Sequence, residues 1–466
     1  MARVFLQRLS WRTILLIACE TVLILGAVVL ASFVRLREGA WNELATKYAL
    51  WKALLIALVC QVSLYYADVY DLRVVKDRRE LFVRTLQALG VSSLILAFLY
   101  FWFPDLIVGR GVFLLASVLV VAVVIGWRIV FLWLARHAGP SERLLLVGTG
   151  QAVTDLALEL HGRREELGVE IVGFIDPDAA LVGQPVFNPS VVGVIEDIPS
   201  IVRQRAVDRV VVSLSDARGK LPMAKLLEMK LEDGVRFDHL ASVYEEYTGK
   251  IALENLRPSW LIFSEGFRKT RWITAVKRST DVVLSAIGLV LAFPLMLAIV
   301  LVLRISSPGP ALYHQRRVGQ HGRVFTVHKF RSMRVDAEAA TGAVWATPGA
   351  DPRVTRIGRL LRRLRLDELP QLWNVLVGDM SLVGPRPERP EFVRHLTTQI
   401  PFYGQRHVVK PGLTGWAQVR YTYGATTEDA MEKLQYDLYY IKHLSIALDL
   451  FIIVATVKTI LTRKGS

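Results

Sequence analysis

The chemistry in this chain is densest at residues 366–388, LDELPQLWNVLVGDMSLVGPRPE. Two adjacent carboxylates, Asp367 and Glu368, open the stretch, a Gly378-Asp379-Met380-Ser381 turn follows, and Pro385-Arg386-Pro387 closes it. Arg353, Arg356, Arg359, Arg362, Arg363 and Arg365 lie immediately upstream. Nearby positive charge favours the ionised form of a carboxyl, so both acids are expected to be charged. Such a cluster suits an anionic, phosphate-bearing substrate, with a divalent cation as companion. A carboxylate in these surroundings can also act as a covalent phosphoryl acceptor. Asp367 is the candidate acceptor, and Glu368 the candidate oxygen ligand for Mg²⁺. The plainer reading stays open beside it. Residues 355–377 carry a helical pattern, and Arg363 and Asp367 stand four apart, as a helix ion pair would.

A second basic pair precedes this stretch. His321-Gly322 marks a turn between two strands, and the second strand ends in Lys329-Phe330-Arg331. Side chains alternate along a strand, so Lys329 and Arg331 should share one side and could clamp a phosphate. Taken alone, such a strand end is usually just solvated, and its value comes from the neighbours.

The rest of the chain must bring these groups to a substrate. Its 466 residues suggest about three domains. Hydrophobic residues make up 53% of the chain, mean hydropathy is +0.37, and the net charge is +15. An apolar and basic chain fits the cytoplasmic face of a membrane, where anionic lipids attract Lys and Arg. Nucleic acid, the rival partner for positive charge, is set aside because the basic residues accompany membrane-length apolar runs. Cys19 and Cys60 lie inside those runs and form neither a disulfide framework nor a metal-ligand spacing.

Four apolar segments, at about 13–34, 50–69, 86–103 and 111–135, approach the ~20 residues of a membrane-spanning helix. Basic residues flank the bundle at Arg3, Arg8 and Arg12, between the second and third segments at Arg73, Lys76, Arg78, Arg79 and Arg84, and after the fourth at Arg136 and Arg143. The third-to-fourth connection holds only Arg110. That balance places both ends of a bundle at 1–138 in the cytoplasm. Residues 139–262 then read as an α/β module of Rossmann type. Strands are expected at 143–147, 169–176 and 208–214, and helices around 151–166 and 218–233. Gly148-Thr149-Gly150 could cradle a phosphate, with Asp176 meeting a ribose. Val153 occupies the third glycine position, however, and an ordinary strand-to-helix turn in a regulatory or spacer domain is the favoured reading of the segment.

A fifth apolar run, VVLSAIGLVLAFPLMLAIVLVL at 282–303, carries Pro294 near its middle. Proline removes a backbone donor and clashes with the preceding turn, so a sharp kink is expected there. Lys277 and Arg278 precede the run, and Arg304, Arg316 and Arg317 follow it. Positive charge on both flanks favours a re-entrant helix at 276–304 that breaks at Phe293-Pro294 and returns to the face it entered. Hydropathy alone would favour the alternative, a plain kinked transmembrane span, which would place the following domain outside the cell.

From residue 273 to the end the chain resembles the bacterial sugar transferases, the polyprenyl-phosphate hexose-1-phosphate transferases. The resemblance rests on Lys277-Arg278, the proline-broken apolar helix, SPGP, QRRVG, HKFRSM, DPRVTRIGRLLRRLRLDELPQLWNVLVGDMSLVGPRP, KPGLTGWAQV and YDLYYI in order. The bundle and α/β module look like the longer members, of the exopolysaccharide or undecaprenyl-phosphate glucose phosphotransferase type. The expected class is thus a membrane protein, α plus α/β, with a membrane-dipping α/β catalytic domain at 273–466. The resemblance implies transfer of hexose-1-phosphate from a UDP-sugar to undecaprenyl phosphate, with release of UMP, as the first membrane step of exopolysaccharide, capsule or O-antigen synthesis. It implies that Asp367 attacks phosphorus to give an aspartyl-phosphosugar and that Glu368 holds Mg²⁺. It also implies that Lys329, Arg331 and Arg362 contact phosphates, and that Arg386, followed by Pro387, lies on the uridine side. It further implies a multi-pass protein of the bacterial inner membrane, among inner-membrane lipids, and a homodimer. Tyr421-Thr422-Tyr423 departs from the Asn-rich loop of many relatives, which leaves the sugar open.

Two other functions are weighed against this. A membrane-anchored, NAD-dependent nucleotide-sugar epimerase or dehydratase would need a full glycine fingerprint and a Tyr-x-x-x-Lys pair. Val153 breaks the first, and Ile251 stands where Tyr247 would need its lysine. A non-catalytic assembly scaffold would have no use for an intact Asp367-Glu368 pair among Lys329, Arg362 and Arg386.

Overall fold

The computed structural model describes residues 11–37, 49–67, 69–70, 78–107, 110–137, 142–186, 188–213, 222–232, 234–253, 266–267, 269–337, 353–421, 424 and 426–461. The chain divides into two compact units, residues 6–243 and 244–466.

The first unit begins with four apolar helices: α1 (Trp11–Leu36), α2 (Ala49–Tyr66), α3 (Arg78–Trp102) and α4 (Arg110–His137). Three of them hold segments long and apolar enough to cross a membrane, Ile14–Leu36, Leu81–Trp102 and Gly111–Phe131, whereas Leu50–Tyr66 is shorter. Small side chains such as Ala27, Ala31, Ala53, Ala57, Ala88 and Ala116 face the bundle core, while Phe98, Phe101, Trp102 and Leu94 face out. Small residues let helix backbones approach closely where the surroundings are as apolar as the interior. One polar knot sits inside. Glu20 is ion-paired to Arg128 at 2.7 Å, Tyr70 donates to Glu20 at 2.7 Å, and Arg128 donates to the Val69 carbonyl at 2.9 Å. Burying a charge pair is costly, and the hydrogen bonds from Tyr70 and to Val69 offset part of that cost.

The same unit carries a parallel sheet in which β1 (Glu142–Val147) lies between β2 (Val169–Ile175) and β4 (Arg209–Val212), with β3 (Val191–Gly193) and β5 (Arg236–His239) at the edges. The expected strands match β1, β2 and β4. The edge strands lie outside that expectation: β3 is three residues long, and β5, Arg236-Phe237-Asp238-His239, lacks the apolar run that marks β4.

In the second unit, the helix α5 (Arg271–Ser306) runs 36 residues and stays helical across Pro294. The anticipated interruption is therefore not a loss of helix. An antiparallel hairpin follows, β6 (Leu312–Val318) with β7 (Val324–Phe330), turning at His321 and Gly322, both with positive φ. Next come α6 (Arg356–Arg363), α7 (Gln371–Val377) and a parallel pair, β8 (Ser381–Val383) with β9 (Gly412–Thr414). Gly412 lies against the Gly384 backbone, where a Cβ would collide. The helices α8 (Thr427–His443) and α9 (Ile446–Leu461) close the unit around Trp416, Tyr403 and Tyr440.

Both ends of α5 dock on this one unit. Near its start, Lys277 pairs with Asp449 at 2.7 Å and Arg278 donates to the carbonyls of Val375 and Leu376, at 2.6 and 2.7 Å. Asp281 accepts from the Leu382 amide at 2.9 Å. Near its end, Ile299 and Leu303 are buried with Phe330 and Leu361. Between these contacts Val290, Leu291 and Phe293 are exposed.

Candidate active site

Residues 355–377 do not form the single helix that their pattern suggests. The helix α6 begins at Thr355, whose hydroxyl accepts the Gly358 amide at 2.9 Å, and ends at Arg363. Arg365 then takes a left-handed backbone, φ 56°, and a tight turn over Leu366–Glu368 leads into α7. A non-glycine residue at positive φ is locally strained, and such positions gather at functional sites. The turn breaks the four-residue alignment of Arg363 with Asp367, so that helix ion pair does not form. It also tucks both carboxylates inside: Asp367 is 7% exposed and Glu368 8%.

The two acids have different surroundings. Oε1 of Glu368 accepts from Lys329 Nζ at 2.9 Å and Arg386 Nη2 at 2.7 Å, and Arg365 lies 3.9 Å from Oε2. Burial would raise the pKa of Glu368, but Arg386, Lys329 and Arg365 outweigh it and hold the carboxyl well below its usual range. Asp367 accepts no ion pair among the described residues. Burial first, and then the charge of Glu368, raise its pKa, against the opposing pull of Lys329, Arg362 and Arg386. The cations gather on Glu368 and leave the charged form of Asp367 the less stabilised of the two.

Each cation is held by its own scaffold. Asn374 on α7 acts as an extra strand partner for β7, accepting from the His328 amide at 3.1 Å and donating to the Thr326 carbonyl at 2.7 Å. That bond sets Lys329 beside Glu368. Arg362 donates to Ser332 Oγ at 2.9 Å. Arg386 is fixed through its backbone: Arg406 donates to its carbonyl at 3.0 Å, and Arg317 to the carbonyl of Pro387 at 3.0 Å. Arg406 is buried and ion-paired to Asp437 at 2.8 Å.

Arg331 goes elsewhere. Its guanidinium donates to the carbonyls of Pro308 and Ser307 and to Ser307 Oγ, at 2.7, 3.0 and 2.8 Å. The strand ends at Phe330, so period-two alternation does not carry past it, and Arg331 latches the end of α5 instead of joining Lys329. In the α/β sheet, Asp176 accepts from Thr149 Oγ1 at 2.5 Å and from the Asp178 amide at 2.9 Å, so both of its oxygens are engaged internally.

The sequence model of the bacterial sugar transferase family matches residues 272–463, which hold every residue of this constellation. A second family model, described as a CoA-binding domain, matches residues 66–228. A UDP-glucose:undecaprenyl-phosphate glucose-1-phosphate transferase of Xanthomonas campestris pv. campestris is 37% identical over 69% of this chain and 67% of its own length. The chain belongs to the bacterial sugar transferase family. An Escherichia coli protein of the same description is 34% identical over 70% of this chain and 69% of its own. A UDP-N-acetylgalactosamine-undecaprenyl-phosphate N-acetylgalactosaminephosphotransferase of Aeromonas hydrophila is 43% identical, over 49% of this chain. The match spans about half the length of that last relative, 53%.

Within this member of the family, sequence reasoning missed Asn374, Arg406 and Asp437. Each lies in a motif that was singled out or beside one. Their roles depend on contacts across 46, 20 and 31 residues of chain, and no local pattern encodes those.

Proposed function

We propose that this protein transfers hexose-1-phosphate from a UDP-sugar to undecaprenyl phosphate, as an opening membrane step of exopolysaccharide, capsule or O-antigen synthesis. The observation that carries the reading is the division of labour at the adjacent carboxylates: Glu368 gathers three cations while buried Asp367 makes no ion pair among the described residues.

A carboxylate oxygen of Asp367 attacks the sugar-bearing phosphorus, and the bond to the bridging oxygen breaks, releasing UMP. An oxygen of the lipid phosphate then attacks the same phosphorus. The bond to Asp367 breaks, the carboxylate is regenerated, and the sugar leaves on a lipid diphosphate. Lys329, Arg362 and Arg386 offset the charge of two anions that must meet. The raised pKa of Asp367 reflects a poorly solvated carboxylate, which gains when its charge is spread onto phosphorus. Mg²⁺ fits these residues as an ion carried by the donor diphosphate. Among the described residues no three metal-ligating side chains cluster, and Mg²⁺ commonly takes one or two carboxylates plus substrate phosphates. Oε2 of Glu368 and the carboxylate of Asp367 would hold it, and it would supply neutralisation of phosphate charge.

The reading includes a re-entrant path for α5, a cytoplasmic catalytic unit and an inner-membrane location. Its support is the docking of both helix ends on one unit. At ~1.5 Å per residue, residues 282–293 and 295–303 each reach roughly half of a ~30 Å hydrocarbon core. A Rossmann-type reading of the α/β module is supported by its central β1 and the glycine turn after it. The test is radiolabelled sugar transfer from UDP-glucose or UDP-N-acetylgalactosamine to undecaprenyl phosphate by the purified chain. Label moving into a lipid extract with stoichiometric UMP supports the proposal. No transfer from either donor by folded protein refutes it for these sugars.

A further inference from the structure

Gln371 is 4% exposed, and its Nε2 has no hydrogen-bond partner among the described residues. A buried amide donor left unpaired is costly, and native proteins keep few of them. This one stands at the catalytic turn. From Leu366 to Trp373 the backbone advances through successive three-residue hydrogen bonds, Leu369 to Leu366, Leu372 to Leu369 and Trp373 to Pro370. Residues three apart stand over one another in such turns. Gln371 opens α7, three residues after Glu368 and four after Asp367, the spacings that bring side chains to one side of a helical turn.

We propose that Gln371 Nε2 donates a hydrogen bond to a non-bridging phosphoryl oxygen of the sugar phosphate held at Asp367. The inference rests on the transferase reading above. If Asp367 attacks phosphorus, the phosphoryl oxygens must lie within about one hydrogen-bond length of that carboxylate. The neighbouring cations are already gathered on Glu368, so an additional cation there would meet their repulsion. A neutral amide donor serves a phosphoryl oxygen without that repulsion. The unpaired donor is then a site prepared for substrate, and its cost in the free protein is offset when substrate binds.

The test uses the full chain in detergent, with UDP-glucose and UDP-N-acetylgalactosamine as donors and no lipid acceptor. Single-turnover UMP release is measured beside the thermal unfolding midpoint. Gln371→Met keeps the length of the side chain and removes both polar atoms; Gln371→Glu removes the donor and adds a charge. The expected result for Gln371→Met is UMP release slowed about 10- to 100-fold, as for loss of a hydrogen bond to a charged group. Its unfolding midpoint should be unchanged or higher, because an unpaired buried donor has gone. Gln371→Glu should lose at least as much. UMP release within about twofold of wild type in either variant would overturn the proposal. So would a rate loss accompanied by a lowered midpoint in both, which would mark Gln371 as a packing residue. Folded wild-type protein that releases no UMP from either donor would instead refute the transferase reading, and this inference with it.

Discussion

Replacing Pro294 by alanine tests whether proline or docking sets the re-entrant path proposed for α5. The substitution restores a backbone donor and removes a clash, worth roughly 3 kcal/mol in a helix interior. A straight helix of 36 residues would be ~54 Å long, ample for a ~30 Å core. Spanning, however, requires one docked end to let go. Releasing the far end uncovers Phe330 and Leu361, which Ile299 and Leu303 pack against, at up to about 1.5–3 kcal/mol each, and breaks the charged hydrogen bonds of Arg331 to Ser307 and Pro308, at about 1.5–3 kcal/mol each. Releasing the near end breaks the Lys277–Asp449 pair, about 3–5 kcal/mol for a buried pair, and the two Arg278 bonds to backbone carbonyls. Either loss, on the order of 10 kcal/mol, exceeds the gain from alanine. Pro294→Ala should therefore leave both flanks cytoplasmic. Single cysteines at Ala275 and Pro310, both exposed, in a background without Cys19 and Cys60, report this directly. A membrane-impermeant thiol reagent should label neither in intact cells and both after lysis, with or without Pro294. Labelling of position 310 from outside in the alanine variant would show that proline, and not docking, sets the path. The same labelling in the parent would refute the re-entrant helix.

Glu368→Gln removes the charge that gathers Lys329, Arg386 and Arg365. Turnover should fall at least about 100-fold, and the Mg²⁺ dependence of the remaining rate should weaken; an unchanged Mg²⁺ titration would take Glu368 out of the metal site. Asp367 must be ionised to attack, and its pKa is raised, so the rate should fall as pH drops through a value above the ordinary carboxylate range of about 3.9. A raised folded-state pKa favours the folded state below the unfolded value, and this advantage is lost as pH rises through the folded value. Asp367→Asn should therefore keep or raise the thermal midpoint at pH 7 while abolishing turnover; a clearly lowered midpoint would contradict this sign. Truncation should be sensitive to where it starts. Ile251 and Leu253 are buried with Trp416, the Trp416 indole donates to the Gly249 carbonyl at 2.9 Å, and Lys250 is paired with Glu432. A chain beginning at residue 244 should unfold at a higher temperature than one beginning at 271, and equal midpoints would show that this segment adds no stability.

Much of this was legible because it is local. The apolar runs, the buried strands around Leu144, Val172 and Val210, and the adjacency of Asp367 and Glu368 are written in consecutive residues. Pro294 marked where the apolar run departs from the ordinary, although the helix continues through it. What stayed hidden depends on tertiary contact or on single dihedral angles. Nothing in an arginine-rich helical pattern announces that Arg365 takes a left-handed conformation and separates Arg363 from Asp367. The strand rule placed Lys329 but failed for Arg331, one residue past the end of β7. The pKa difference between neighbouring acids follows from which of them the distant Arg386 reaches, and that is set by Arg406 and Asp437 still further along the chain.

The central claim is that Asp367 carries the sugar phosphate between donor and lipid. Intact-protein mass spectrometry of the purified chain, mixed with UDP-sugar in the absence of undecaprenyl phosphate, tests it most directly. The account predicts an added mass of one hexose phosphate (or N-acetylhexosamine phosphate) per active chain, mapped to the peptide holding Asp367. The adduct should be discharged by undecaprenyl phosphate and absent from Asp367→Asn. UMP release that requires the lipid phosphate and proceeds without any adduct would contradict it, as would an adduct that persists when Asp367 is replaced.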